Sequence, residues 1–214
     1  TADGKVSNSG TASRQVDGNY SIRFEGTNNK SASASSEGTY RATEQQLKFH
    51  TTNLEVKGPR QTLTLQKPFD ITVNEDYSWK VDTLNVRSKT DQLKAACTYY
   101  NEHKQDIFVE ANRLDLEVLQ YTFLDNAYMT GNLNTKINYI CRPPYATGQS
   151  RLTISNFEAA GFTLDTLKSS LRIDKDQLNG SLAAILDGET LASGSLDLPF
   201  RTGDPQNFPE SYFR

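Results

Sequence analysis

Residues 133–141 read Leu-Asn-Thr-Lys-Ile-Asn-Tyr-Ile-Cys, which places Leu133, Thr135, Ile137, Tyr139 and Cys141 at every second position. Successive side chains of a β-strand point to opposite faces, so this spacing gives the segment one apolar and one polar face. Strands of this kind are typical of antiparallel sheets that expose one side to water. The stretch therefore predicts a half-buried antiparallel strand.

The same alternation recurs along the chain from Gly18 onward, in about fifteen short runs separated by turn residues. Asn53 and Gly58-Pro59 are predicted turns, and residues 74–76 are predicted to close a hairpin. Helical spacing is weak outside residues 113–124, where we expect a short helix or an irregular crossover, and residues 157–167 contain shorter helix-compatible pieces. The predicted fold is all-β, an elongated antiparallel sheet with short helical or irregular crossovers.

The charge balance and the hydrophobic fraction of the chain bear on its possible partners and its shape. The 214 residues carry 23 Lys and Arg against 26 Asp and Glu, a net charge of -3, so a nucleic-acid partner is not expected. Only 36% of the residues are hydrophobic, which predicts a thin core and favours an elongated shape. Because the chain starts with Thr1 and lacks a basic and then apolar leader, we interpret it as a fragment of a longer protein.

Residue types that carry enzyme chemistry are sparse. Cys97 and Cys141 are far apart in sequence and His50 and His103 are isolated, so no metal-ligand spacing is present. The sequence also lacks a glycine-rich phosphate loop and a nucleophile motif. We predict that the chain is not an enzyme and uses no metal or cofactor. The two cysteines could form a disulfide or remain as two buried thiols.

Several short Leu and Gly patterns occur in a fixed order. They are Leu114-Asp-Leu-Glu-Val-Leu119, Gly131-Asn-Leu-Asn-Thr, Pro143-Pro144 with Gly148, Leu152-Thr-Ile-Ser-Asn-Phe157, Gly161-Phe162, Leu167 to Ile173, Leu178-Asn-Gly-Ser-Leu182 and Gly194-Ser-Leu-Asp-Leu-Pro199. In this order and spacing, residues 60–200 resemble the late repeats of the TamB and AsmA-like family. Cys97 and Cys141 depart from the family pattern, and residues 1–40 lie outside the resemblance.

The resemblance implies a sheet curled into an open trough, the β-taco, with an apolar concave face and a polar convex face. Members of this family span the periplasm and are implicated in moving phospholipid between the inner and outer membranes. With an outer-membrane β-barrel partner, they are also implicated in outer-membrane protein assembly. The implied partners are therefore phospholipid acyl chains and, through the parent protein, such a barrel. The implied location is the periplasm, with an inner-membrane anchor outside this fragment.

The apolar positions of successive strands share parity, so we predict that they line one continuous groove. The predicted lining residues are Tyr20, Ile22, Phe24, Leu47, Phe49, Leu63, Leu65, Ile71, Val73, Trp79, Val81, Leu84, Val86, Leu133, Ile137, Tyr139, Leu152, Ile154, Leu171, Ile173, Leu182, Leu186, Leu196 and Leu198.

Three segments are predicted. Residues 1–40 are rich in Ser, Asn and Ala and form a loop or an edge hairpin, and residues 41–200 form the trough. Residues 201–214 are a tail or the start of a further repeat. Leu84 to Cys97 and Leu171 to Leu182 share a short pattern, which allows two hairpin repeats within the trough.

Alternation alone also fits the closed core of a β-sandwich, as in an adhesin or a carbohydrate-binding module. Trp79 would help to distinguish the two, because an inward anchor suits a buried face whereas a sugar platform needs an exposed ring beside other aromatics. The charged positions between the apolar rows, such as Lys80, Asp82, Arg172 and Asp174, are interpreted as a solvated exterior.

Overall fold

The computed structural model describes the backbone of residues 7–14 and 20–27 and, with side chains, residues 33–58, 60–100, 104–118 and 129–200. Within these ranges the protein is an all-β fold in which every strand belongs to one antiparallel sheet. The strands are β1 (Ser7–Arg14), β2 (Tyr20–Thr27), β3 (Ser33–Ala42), β4 (Gln46–Lys57), β5 (Thr62–Leu65), β6 (Phe69–Asn74), β7 (Trp79–Arg87), β8 (Gln92–Tyr99), β9 (Gln105–Asp115), β10 (Met129–Arg142), β11 (Tyr145–Ala159), β12 (Phe162–Lys175), β13 (Gln177–Leu186) and β14 (Glu189–Pro199).

The sheet is a meander in which each strand pairs with its neighbour in sequence. The exception is β5 and β6, which do not pair with each other. Both lie between β4 and β7, each paired with a different end of these two strands, and residues 66–68 separate them. Pro68 has no N–H to donate to a neighbouring strand, which suits an interruption at this point. β5 and β6 therefore act as one broken strand.

β-Bulges keep the apolar side chains on one face where the sequence changes phase. In β4, Thr51 lies opposite Gly38 while Asn53 lies opposite Glu37, so Thr52 is the extra residue. A similar shift occurs in β7 between Val81 and Leu84. The predicted turn at Asn53 was wrong, because a bulge continues the strand where a turn would end it.

The hairpin predicted around residues 74–76 is confirmed by the pairing of β6 with β7. In its turn, Asp76 accepts hydrogen bonds from the backbone N–H and the hydroxyl of Ser78, at 2.9 and 2.6 Å. Tyr77, which shares the alternation of Trp79 and Val81 in the sequence, lies in this turn with a φ of 62° and a highly exposed ring. The strand therefore starts two residues later than the pattern indicates.

The helical expectations have different outcomes. β9 continues to Asp115 and is followed by one short helical turn at residues 116–118; the remainder of the predicted 113–124 segment lies outside the described residues. The helix-compatible pieces at residues 157–167 were wrong. There, β11 and β12 form a hairpin whose turn, Ala160-Gly161, has positive φ at both residues. Strand pairing on both sides overrides a weak local helical pattern.

The buried core lies on one face of the sheet, where the end of β9 and the helical turn after it pack against β5 and β7; we call residues 114–118 the crossing segment. Leu114 and Val118 are 1% and 2% exposed, and Leu116 is also buried. They pack with buried residues of β5, β7, β9, β10 and β11, namely Leu63, Val86, Ala111, Leu133 and Ile154. A Cβ atom on Gly58 would lie 2.7 Å from a methyl group of Val118, so only glycine allows this close approach.

Polar contacts hold the crossing segment against the turn between β4 and β5. The guanidinium of Arg60 lies 2.6 Å from Glu117 and 3.4 Å from Asp115, and the Asp115 backbone N–H donates to the side-chain oxygen of Gln61 at 3.4 Å. In a flat sheet β5 and β9 would be separated by three ladder steps, that is, three spacings between neighbouring strands, or about 14 Å. The ends of these strands therefore converge over the tip of the β7–β8 hairpin.

The predicted segments map onto this sheet as follows. β1 and β2 pair with each other, and β1 lies at one edge of the sheet. β3 continues from residue 33 to residue 42 and joins β2 to β4 in the same sheet, across the expected boundary at residue 40. The two segments with a shared sequence pattern are the β7–β8 and β12–β13 hairpins. Residues 201–214 lie outside the described residues.

We expect Leu114→Ala to lower the free energy of unfolding by about 2–5 kcal/mol, because it leaves a cavity beneath the crossing segment. The matched control is Leu182→Ala, at a side chain that is 52% exposed. There we expect a loss below about 1 kcal/mol. Urea denaturation of both variants measures the difference, and equal losses would contradict the placement of the core.

Candidate functional site: a continuous apolar face

One row of directly opposed residues crosses the sheet from β4 to β14, and we call it the central row. Residues directly opposite each other on paired strands point to the same face, so the row can be followed from strand to strand. Its members are Phe49, Ile71, Val81, Cys97, Ile107, Tyr139, Gly148, Ile173, Leu178 and Leu198. None is charged and all are half-buried. Nine ladder steps make the row about 43 Å long.

A second uncharged row runs beside the central row, offset by two residues on each strand except β7, where the bulge makes the offset three. It consists of Leu84, Ala95, Val109, Ile137, Ser150, Leu171, Gly180 and Leu196. Together the two rows form a strip without charge, which meets the buried core beneath the crossing segment at Leu84. We call this strip the apolar strip.

A shallow depression of about 310 Å³ lies on the apolar strip over β9–β12. Its apolar walls are Ile107, Ile137, Tyr139, Leu171 and Ile173. Gly148 lies in its floor, where a Cβ atom would be 2.7 Å from the carbonyl oxygen of Asn138. The missing side chain leaves room beside the ring of Tyr139. The depression has the size and lining of a site for part of an apolar ligand.

The predicted lining residues fall into groups with different exposure. Leu63, Val86, Leu133 and Ile154 are buried in the closed core beneath the crossing segment. Four leucines near β14 are exposed: Leu171, Leu182, Leu186 and Leu196. The remaining ones from residue 33 onward are half-buried: Leu47, Phe49, Leu65, Ile71, Val73, Trp79, Val81, Leu84, Ile137, Tyr139, Leu152, Ile173 and Leu198.

Three predicted lining residues belong to β2, where only the backbone is described. Tyr20 lies opposite Tyr40, Ile22 opposite Gly38 and Phe24 opposite Ser36. Since Tyr40 lies opposite Phe49, the backbone position of Tyr20 extends the central row by two strands. Whether any of the predicted residues contacts lipid stays a prediction.

Aromatic pairs stand at the β4–β8 end of this face. Trp79 is half-buried and stacks on Tyr99, with ring centroids 6.1 Å apart and an angle of 18° between the planes. Tyr40 and Phe49 pack at 6.0 Å. Trp79 has the aromatic neighbour that a sugar platform needs, but it is partly buried, and it continues the apolar side chains of Leu47 and Val73.

The two cysteines are free thiols. Cys97 in β8 and Cys141 in β10 are separated by β9, so at least two ladder steps, about 10 Å, lie between their backbones. A disulfide needs Cα atoms closer than about 7 Å. Burial, followed by the nearby charge of Asp106, raises the pKa of the Cys97 thiol, which lowers its thiolate fraction at neutral pH.

The opposite face carries the charged side chains. Lys80 lies 2.6 Å from Asp82 and Arg172 lies 3.6 Å from Asp174, and all four side chains are exposed, as predicted for a solvated exterior. The carboxylate of Asp70 lies 2.6 Å from the ammonium of Lys48 and 2.6 Å from Nδ1 of His50. Desolvation of Asp70 would raise its pKa, but the two hydrogen bonds together lower it below its ordinary value.

Sequence reasoning left Ile107 and Val109 out of the predicted lining, although both belong to the apolar strip. The spacing of Ile107 and Val109 at every second position was sufficient to predict them as lining residues. Leu116 and Val118 have no comparable signal, because they leave the sheet and cover its face in a way that only long-range contacts with Gly58 and Leu63 determine.

Comparison of the chain with known protein families, with curated proteins and with solved structures found no match. Within the ranges that the structure describes, no group of three or more His, Cys, Asp or Glu side chains is arranged to hold a metal ion. No helix among the same residues has the length and apolar character needed to cross a bilayer.

Tyr139, in the apolar strip, should make the free energy of unfolding depend on pH in the alkaline range. Burial, followed by its contacts with Cys141, raises the pKa of the Tyr139 phenol to about 12 from an ordinary value of 10.0. The folded state therefore keeps a proton that the unfolded chain loses, and this stability is present below about pH 10 and is lost as the pH rises toward 12. We expect Tyr139→Phe to flatten the fall of the unfolding free energy in this window. Denaturation series at several alkaline pH values measure the slope, and parallel curves for both proteins would contradict the assignment.

Proposed function

We propose that this chain is a segment of a periplasm-spanning protein that carries phospholipid acyl chains along the apolar strip, between the inner and outer membranes. Assistance to outer-membrane protein assembly, with a β-barrel partner of the parent protein, is part of the same proposal. The single observation that supports it best is the central row, in which ten successive ladder positions are uncharged and half-buried.

The apolar strip suits an acyl chain for a physical reason. Each methylene group removed from water contributes about 0.8 kcal/mol, so a long chain can be held by many weak contacts without one decisive residue. The strip, at about 43 Å, is also longer than an extended chain of sixteen carbons at about 20 Å. A ligand could therefore shift along the strip and exchange one set of apolar contacts for an equivalent set.

Exposure of the leucines near β14 supports an open face. Leu171 and Leu196 are each 40% exposed, and ten of the eleven residues of β14 are exposed. The closed β-sandwich of the alternative interpretation needs a second sheet across this face. All described strands belong to one sheet, and the crossing segment covers only the part near β5, β7 and β9–β11. We therefore favour the lipid groove over a sandwich-type adhesin or carbohydrate-binding module.

The convergence of the ends of β5 and β9 supports a sheet that curls into a trough. For a trough of this length we expect a radius of gyration on the order of 22 Å or more, against about 17 Å for a compact domain of 214 residues. Small-angle X-ray scattering from the monomer measures it. A value close to that of the compact domain would be inconsistent with the trough.

Photocrosslinking tests the lipid groove directly. We expect a benzophenone side chain at Ile173, in the wall of the depression, to capture phospholipid from vesicles of phosphatidylethanolamine and phosphatidylglycerol. The same group at the neighbouring position Arg172, which points to the opposite face, is the matched control. Equal labelling at the two positions would reject a groove confined to the apolar strip.

A charged side chain in the groove should reduce lipid capture without a comparable loss of thermal stability. Leu171→Asp places a carboxylate where acyl chains must pass and must be desolvated when they do, so we expect lipid capture to fall by about tenfold or more. Because Leu171 is 40% exposed in the free protein, the melting temperature should change by only a few degrees.

The control for this variant is Arg172→Asp, at an exposed side chain on the other face. It should leave lipid capture unchanged. If Leu171→Asp unfolds the protein instead, the face is a closed core and the groove interpretation fails.

A further inference from the structure

A second concavity, of about 620 Å³, lies on the polar face of β11–β14, opposite the apolar strip. Two cross-sheet rows form it. Arg151, Ser170, Ser181 and Ser195 are opposed in one row, and Thr153, Lys168, Ala183 and Ser193 in the other. Leu152, Ser169, Leu182 and Gly194 lie between the two rows and are opposed to one another in the same way. Leu152 and Leu182 are predicted lining residues of the lipid groove, but the two rows that form this concavity alternate with them and belong to the opposite face.

The charge of the concavity is one-sided. Among the described residues that line it, Arg151 and Lys168 are the charged ones, and none is Asp or Glu. Among the described residues neither cation has a carboxylate partner, whereas Arg172, four residues from Lys168 on the same face, is paired with Asp174 at 3.6 Å. A protein with a net charge of -3 thus presents two unpaired cations in one concave site. Such a site attracts anionic groups.

Hydroxyl groups make up most of the remaining polar lining. They belong to Thr153, Ser170, Ser181, Ser193 and Ser195. The hydroxyls of Ser170 and Ser181 lie 2.8 Å apart, so one donates a hydrogen bond to the other, and the pair keeps one free donor and further acceptor capacity. None of the described residues that line the concavity is aromatic, which does not suit recognition of a neutral sugar by stacking.

From this geometry we infer that the concavity binds a phosphate or sulfate group through Arg151 and Lys168, carried on a saccharide whose hydroxyl groups pair with the serine and threonine rows. A guanidinium binds such an oxyanion through two parallel hydrogen bonds, and the ammonium adds a point charge. The inference depends on the polar face alone. It would hold even if the apolar strip bound no lipid.

Titration calorimetry with the full chain at low ionic strength tests this inference. The probes are a sulfated heparin tetrasaccharide, the same tetrasaccharide without sulfate, and inorganic phosphate. We expect the sulfated saccharide to bind most tightly, inorganic phosphate more weakly and the desulfated saccharide not measurably. The affinity should fall as salt is added, because the sulfate contacts are ionic.

Two variants locate the site. The double variant Arg151→Gln with Lys168→Gln should raise the dissociation constant of the sulfated saccharide by about tenfold or more. The control Arg172→Gln removes a cation of the same face outside the concavity and should change it by less than about twofold. Arg151 and Lys168 are exposed and have no ion-pair partner in the part of the chain that the structure describes, and Arg172 is exposed as well. The variants should therefore keep the circular dichroism of the parent.

Several results would overturn the inference. They are equal losses in the double variant and in Arg172→Gln, equal binding of the sulfated and desulfated saccharides, or no binding of any sulfated or phosphate probe. Equal affinity for inorganic phosphate and for the sulfated saccharide would remove the role of the hydroxyl rows. Photocrosslinking of lipid at Ile173 is an independent measurement, so failure here and failure of the lipid groove can be told apart.

Discussion

The side chains of an antiparallel sheet must alternate in the same phase on every strand if one face is to stay apolar, because one extra residue reverses the face of all that follow it. This protein meets the requirement through bulges. Thr52 in β4 and the extra residue of β7 absorb the phase changes between Phe49 and Leu54 and between Val81 and Leu84. Without them, the central row would be interrupted by polar side chains at both strands.

The two faces of the sheet therefore have separate chemistry. One carries the uncharged rows and their depression beside Gly148, and the other carries ion pairs together with the concavity around Arg151 and Lys168. Since the sheet has only one layer in the described residues, each face is accessible to a partner where no other segment covers it. A single sheet can in this way hold an apolar and an anionic ligand without either one displacing the other.

The crossing segment decides how much of the apolar face is closed. Leu116 and Val118 cover the residues near β5, β7 and β9–β11, while Arg60 and Gln61 hold the segment through Asp115 and Glu117. The closed part supplies the buried core that stabilises the sheet. The open part, from Ile107 to Leu198, keeps apolar surface in contact with water, a cost that a bound acyl chain would relieve.

Because an alternation of period two is a local property of each strand, the strand class, the antiparallel arrangement and most of the residues on the apolar face can be read from the amino-acid sequence alone. The sequence did not determine that Asn53 continues a strand, that Tyr77 lies in a turn, or that Leu63 and Ile154 are buried whereas Leu182 is exposed. Those outcomes depend on pairing register and on a segment that contacts residues more than fifty positions away. Only the tertiary structure brings such distant groups together, and local patterns carry no information about them.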